Sequence, residues 1–262
     1  MVRGLDTFRQ HFAEHGDHYV LIGGVAASLV MEAAGLEFRA TKDLDIVLVV
    51  EVLDAQFGRH LWQFIEDGGY EVRQTSEGVP RLYRFIKPAR PEYPAMLELF
   101  SRQPDGIALA EGAVLTPIPI DEVVSSLSAI LMDGEAYAFL LDGRIEIGGL
   151  RIVGADRLVP LKAAAWLDLE DRAGRGDRID RRDVRKHLND VLRLAQLLGG
   201  ADRVRLPAGL AMRFTEFLRR AAQVSVNIES LKIAGGSQAE ILELLRVVYE
   251  SASVRDEPAV GA

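Results

Sequence analysis

"RATKDLDIVLVV", residues 39–50, sets two aspartates one residue apart at the mouth of an apolar run. Side chains along a strand alternate between faces, so Asp43 and Asp45 point the same way and can share a cation. Beyond them Ile46, Leu48 and Val50 take one face while Val47 and Val49 take the other, the pattern of a strand covered on both sides. Uncompensated carboxylates at the entrance to such a strand are costly, so the stretch predicts a cationic partner. Magnesium is the usual hard partner of carboxylate oxygen, and two such ions can clamp the attacking and leaving oxygens in phosphoryl transfer. A plainer arrangement is a strand cap that pairs with Arg39 or Lys42.

About twenty residues upstream, "YVLIGGVAASLV" (19–30) runs a strand into Gly23-Gly24 and then into a helix. Backbone N–H groups and the positive helix end there suit an anion, and glycine allows close approach. The stretch lacks the third glycine of a dinucleotide fingerprint and the lysine of a Walker loop, and a diglycine also serves plain tight turns. A third acid is needed beside the pair. In "AMLELF" (95–100) the candidate is Glu98, whose strand neighbours on the same face are Met96 and Phe100. Either it serves the site or it reaches solvent from an edge strand.

The wider pattern is α/β in the first half and helical in the second. Helices are predicted over 5–15, 25–35 and 54–69, and strands over 19–22, 44–50, 70–75, 81–87 and 95–100. "EAYAFLLDGRIEIGGLRIV" (135–153) reads as short strands with turns at "DG" and "GG". From about residue 155 four helical patterns follow. In the second of them Val184, Leu188, Val191, Leu192, Ala195 and Leu198 form one buried stripe. The domain boundaries expected are 1–154 for the α/β part and 155–252 for the helical part, with 253–262 a loose tail.

Composition narrows the function. The chain has 262 residues, 48% of them apolar, and no cysteine, which removes thiolate nucleophiles and Cys-based metal sites. No run of about 20 apolar residues is present and "MVRGLDTFRQHF" lacks the parts of a signal peptide, so a soluble cytoplasmic protein with no membrane partner is expected. A net charge of −8 argues against wholesale coating of nucleic acid. Residues 172–186 run against that trend, with seven basic and three acidic side chains, as solvated surface or as the flank of an anionic substrate. "HFAEHGDH" places His11, His15 and His18 at metal-like spacing, but Gly16 interrupts the helix and no H-E-x-x-H partner pattern is present. No G-x-S-x-G nucleophile occurs, and "SSLS" near 125 reads as helix-start chemistry.

Diglycine after a strand, a helix, "RATKDLDIVLV" and a later acidic strand together resemble the nucleotidyltransferase superfamily that includes DNA polymerase beta. Within it the chain is most similar to AbiEii-type toxins and minimal nucleotidyltransferases, through the R-x-T-x-D-x-D wording of Arg39, Thr41, Asp43 and Asp45. The likeness extends to "LVPLKAAAWLDLEDR" and "RRDVRKHLNDVLRLAQLL" in the second half. It implies a nucleotidyltransferase-like mixed sheet with flanking helices and a helical C-terminal domain. It implies, further, magnesium on Asp43, Asp45 and a third acid, here Glu98 where aspartate is commoner, and a triphosphate held at Gly23 and Gly24 with Arg39, Thr41, Lys162 and Lys186 in support. His187 departs from the aspartate that many toxin relatives carry. The reaction implied is transfer of a nucleoside monophosphate from NTP to an acceptor, a tRNA end, a small molecule or a protein hydroxyl, with a cognate antitoxin as a further partner. The alternative is a catalytically impaired module of the same fold that binds nucleotide or a partner protein.

Two readings of the second half stay open. Lys162 sits in the apolar "LVPLKAAAW", where it either faces phosphate or snorkels to the surface. Asp183, Lys186, His187 and Asp190 share one helix face, which looks into a cleft or carries a plain Lys186–Asp190 surface pair.

Overall fold

The computed structural model describes residues 2–72, 82–100 and 134–249. Among them seven strands form one mixed sheet in the order β3-β4-β5-β2-β1-β7-β6. The strands are β1 (Tyr19–Ile22), β2 (Asp43–Leu48), β3 (Glu71–Val72), β4 (Leu82–Ile86), β5 (Met96–Phe100), β6 (Arg144–Ile147) and β7 (Leu150–Val153). At the centre β2 runs antiparallel to β1 and parallel to β5. All four residues of β1 are buried, as are Ile46, Val47, Leu48 and Val49, so the middle of the sheet is covered on both faces.

Helices α1 (Leu5–His11), α2 (Gly23–Ala33), α3 (Ala55–Gly68) and α4 (Gly134–Asp142) accompany the sheet, and α5 (Ala155–Gly174), α6 (Arg181–Leu194), α7 (Ala208–Ala221) and α8 (Gln238–Tyr249) follow it. The architecture is thus the expected mixed α/β sheet with a helical C-terminal part. Local chemistry sets the ends: the Asp54 carboxylate accepts a hydrogen bond from the Phe57 N–H at 2.7 Å to open α3, and left-handed Gly69 closes it.

Several boundaries differ from expectation. Helix α1 stops at His11 and the chain reaches β1 through a 3₁₀ turn over Gly16–His18. Helix α2 begins two residues earlier, at Gly23 itself, whose φ of 67° turns the extended Ile22 straight into the helix. Strand β2 starts at Asp43 and ends at Leu48, before a 3₁₀ turn over Val50–Val52. Residues 135–141, read as strand, belong to a helix over 134–142 that buries Ala136, Tyr137 and Leu140 at helical spacing, and only 144–153 form the hairpin. Most of the strand read over 70–75, the "SSLS" helix start and the tail lie outside the described residues.

The stripe on α6 is buried throughout, from Val184 to Leu198. Helix α5 contains Pro160, which has no N–H to give the Asp156 carbonyl. The Tyr249 hydroxyl donates to that carbonyl instead, at 2.8 Å, fastening the end of α8 to the start of α5. One apolar core runs from Leu5 to Tyr249, and Trp166 of α5 meets Phe217 of α7 edge-on within it. Among the described residues no helix is long and apolar enough to cross a membrane.

Candidate active site

A row of side chains crosses four strands of the sheet. In the register, Ile22 of β1 stands beside Asp45 of β2, Asp45 beside Glu98 of β5, and Glu98 beside Arg84 of β4. Directly opposed residues bring their Cβ atoms to about 5 Å. Asp43 lies two residues along β2 and faces the same way. Strand pairing therefore brings Asp43, Asp45 and Glu98 together next to the point where Gly23 starts α2.

Both glycines are needed for this approach. A Cβ on Gly23 would lie 1.7 Å from Asp45 Oδ2, and one on Gly24 would lie 2.4 Å from Thr41 Oγ1. The missing side chains thus make room for the acidic strand and for Thr41, beside backbone N–H groups at the head of an eleven-residue helix.

The carboxylates are crowded. Burial, then Glu98 and Asp43 beside it, push the Asp45 carboxyl well above the ordinary carboxylate range, against the pull of Lys162. Asp43 is raised too, by burial and then by Glu98, while Lys186, Arg84 and Arg39 act in the opposite sense. Neither aspartate is in an ion pair among the described residues, so the strand-cap pairing with Arg39 or Lys42 is not formed. Glu98 does not reach out idly from the sheet: Arg84 binds it through Nε and Nη2, each at 2.7 Å.

Arg39 and Lys162 serve a different acid. Asp190 of α6 is fully buried and accepts three hydrogen bonds from Arg39, Nε to Oδ1 at 2.9 Å and to Oδ2 at 3.2 Å, and Nη2 to Oδ2 at 2.7 Å. Lys162 Nζ of α5 donates to the same Oδ2 at 2.8 Å. Burial alone would raise the Asp190 carboxyl, and Lys162 and Arg39 outweigh it and hold it below its usual range. Lys162 is pulled down by burial, and Asp190 opposes that fall. It does not snorkel, being only 5% exposed. This triad fixes the segment before β2 onto the helical part of the chain, across 151 residues of sequence.

The helix face of Asp183, Lys186 and His187 opens into a cleft of about 260 Å³, lined also by Gly23, Asp45 and Lys162. Lys186 pairs loosely with Asp183 at 3.7 Å and not with Asp190. Of the basic run, Arg172 is buried and bonded to Asp177, whereas Arg175, Arg178, Arg181, Arg182 and Arg185 are exposed, and Lys186 stands at the cleft.

Magnesium fits this donor set in part. The ligands on offer are hard carboxylate oxygens, and a divalent cation would relieve the repulsion that raises Asp43 and Asp45. Among the described residues, however, no three His, Asp or Glu side chains close on one point as they stand, and Glu98, beside Asp45, is also held by Arg84. Asp43 and Asp45 offer the ion hard oxygen ligands, and Glu98 offers another that it shares with Arg84.

Two contributors escaped the sequence reading. Arg84 carried a signal, a cation between apolar neighbours in "RLYRFIK". Asp190 is expected either on a helix face toward a cleft or as a surface partner of Lys186, and nothing local marks it as the acid that Arg39 and Lys162 share. The three N-terminal histidines meet a fourth, His60. The His11 and His60 rings stack at 3.9 Å, and each ring Nε2 lies within hydrogen-bond distance of the other residue's backbone carbonyl. His15 lies 4.5 Å from His60, and His18 stacks on Phe57.

No family model matches the sequence, and no curated protein does either. Among solved structures, the chain is similar to a protein from Paracoccidioides brasiliensis described as an antigenic nucleotidyltransferase-like protein. The two share 17% identity over 90% of this chain and 95% of that one, with a TM-score of 0.41.

Proposed function

We propose that the protein is a magnesium-dependent nucleotidyltransferase, which moves a nucleoside monophosphate from an NTP to an acceptor and releases pyrophosphate. The observation that carries this reading is the carboxylate row of Asp43, Asp45 and Glu98 beside the Gly23-Gly24 helix start. An acceptor oxygen attacks the α-phosphorus, its bond to the bridging oxygen of the β-phosphate breaks, and pyrophosphate departs with that electron pair. Asp43 and Asp45 would hold magnesium, which would supply positive charge to the phosphate oxygens. The N–H groups at the start of α2 take phosphate oxygens, and Lys186 with Lys162 contributes positive charge from the opposite wall of the cleft. Glu98, released by Arg84, receives the acceptor's proton. Arg39 holds Thr41 and β2 in place through Asp190. Positioning and charge neutralisation supply most of the rate.

The finer likeness to AbiEii-type toxins belongs to the same proposal, with a tRNA end as acceptor and an antitoxin as inhibitor. A small molecule or a protein hydroxyl is the other acceptor class. A second reading has its own support: the Arg84–Glu98 ion pair suits a protein that binds nucleotide or a partner in this cleft without turnover. Incubation of the full chain with α-labelled NTPs, magnesium and separated RNA, protein and small-molecule fractions of a cell extract distinguishes these. Label in one fraction, lost with Asp45→Asn, supports the enzyme and names its acceptor class. NTP binding with no label in any fraction supports the binding module.

A further inference from the structure

The cations that line the cleft differ in how firmly they are held. Among the described residues they are Arg39, Arg84, Lys162 and Lys186. Arg39 and Lys162 are bonded to Asp190, a fully buried acid, and neither can leave it without stranding its charge. Lys186 pairs loosely with Asp183 at 3.7 Å and can meet a phosphate as it stands. Arg84 is held closely, yet by an acid of a different kind. Its Nε and Nη2 reach Glu98 Oε1 at 2.7 Å each, and the two side chains are only 14% and 12% exposed.

Glu98 belongs to the carboxylate row. It stands beside Asp45 in the strand register, so the oxygen that holds Arg84 lies on an acid that a divalent cation would also take. An arginine this shielded that loses its carboxylate needs another anion, because a lone charge in such a place is costly. The cleft provides for one: Arg84 lines the same cavity as Gly23, Gly24 and Lys186, where the phosphates are placed. A guanidinium matches phosphate as well as it matches carboxylate, so an exchange between the two keeps its charge compensated throughout.

We propose that Arg84 is a phosphate-binding residue of the nucleotide site, bonded to Glu98 in the absence of nucleotide and to a phosphate oxygen once a divalent cation takes the Glu98 carboxylate. This inference rests on the reading of the cleft as an NTP site. It makes the Arg84–Glu98 pair a contact that the substrate and its metal replace together, with one ion pair exchanged for another and no covalent bond altered.

Two equilibrium titrations of the full chain test it, one with Mn2+ alone as a spectroscopically visible divalent cation and one with ATP and magnesium. The proteins compared are wild type, Arg84→Met and Arg84→Gln. Arg84→Met removes the cation that competes for Glu98, so it should bind Mn2+ about three- to tenfold more tightly than wild type. It should bind ATP about tenfold more weakly, the loss of one charge-assisted hydrogen bond. Damage to the fold weakens both, so opposite signs in one variant separate a ligand role from a structural one. Arg84→Gln, which keeps a neutral donor for Glu98, should show the same signs at smaller size, and it carries the comparison where Arg84→Met does not fold. Mn2+ bound no more tightly by the variants, or ATP bound as well as by wild type, overturns the inference and leaves the nucleotide site standing. A wild type that binds no ATP at all overturns the proposed function and the role of Arg84 with it.

Discussion

Asp45 and Glu98 stand directly opposite each other on adjacent parallel strands, with their carboxyl groups within hydrogen-bonding reach. Two acids so placed cannot both carry full charge cheaply, and burial makes the cost larger. Stability is therefore given up at this spot. The sign follows from Asp45: its carboxyl is raised in the folded chain, so the folded state binds the proton more tightly than the unfolded state does. That advantage is lost as pH rises from the unfolded value toward and through the folded one.

Replacing Asp45 by Asn should consequently stabilise the metal-free protein by about 1–2 kcal/mol while removing activity. Thermal unfolding checks it, and the gain should be larger at pH 8 than at pH 4. A variant less stable than wild type at pH 8 would contradict the strain assigned to this carboxyl.

Asp190 carries the opposite expectation. It is the buried acid that holds both Arg39 and Lys162, so Asp190→Ala strands two cations and should cost about 3–5 kcal/mol in urea unfolding. Asp190→Asn keeps an acceptor oxygen and should recover part of the loss. A cost below about 1 kcal/mol for the alanine variant would show that the triad is not what joins β2 to α6.

Gly23→Ala places a methyl group onto Asp45 Oδ2 in a left-handed backbone. Loss of stability by about 1–2 kcal/mol is expected. Gly24→Ala should be milder, since its φ is not positive and the Thr41 side chain can turn away. Chemical denaturation of the two variants side by side reads the difference, and equal cost at both positions would contradict it.

Acid should loosen the protein through its histidines. Burial first, then His60, lowers His15; burial also lowers His11, partly offset by its bond to the His60 backbone; His187 is held at about 3. A histidine lowered in the folded state protonates first in the unfolded chain, so its contribution is intact above the unfolded value of 6.5 and is lost as pH falls below it. The unfolding midpoint should drop between pH 7.5 and 5.5. It should drop less in a His11→Gln, His15→Gln double variant, and an unchanged slope would contradict the assignment. Asp45 tilts the other way, so the Asp45→Asn background gives the steeper fall.

Alternation alone put Asp43 and Asp45 on one side of their strand, and the glycines marked the turn into α2. What spacing could not carry was which strand lies next to β2. Only the pairing of β2 with β5 makes Glu98 the neighbour of Asp45, and only β4 brings Arg84 to Glu98. The helix face of Asp190 was legible, but not its role as shared acid, because its partners, Arg39 and Lys162, are 151 and 28 residues away. Residues 135–141 misled for a different reason: their helix is nine residues long and runs directly into a hairpin, so its period was masked by the "DG" turn.

Pyrophosphate release from NTP by the full chain, in nucleotide-depleted cell extract as acceptor source, tests the central claim most directly. Wild type with magnesium should release pyrophosphate, and chelation of the metal should stop it. Asp45→Asn, although better folded, should lose at least about a hundredfold. Equal release by wild type and Asp45→Asn, or release that continues without any divalent cation, would contradict the assignment of this carboxylate row to nucleotide transfer.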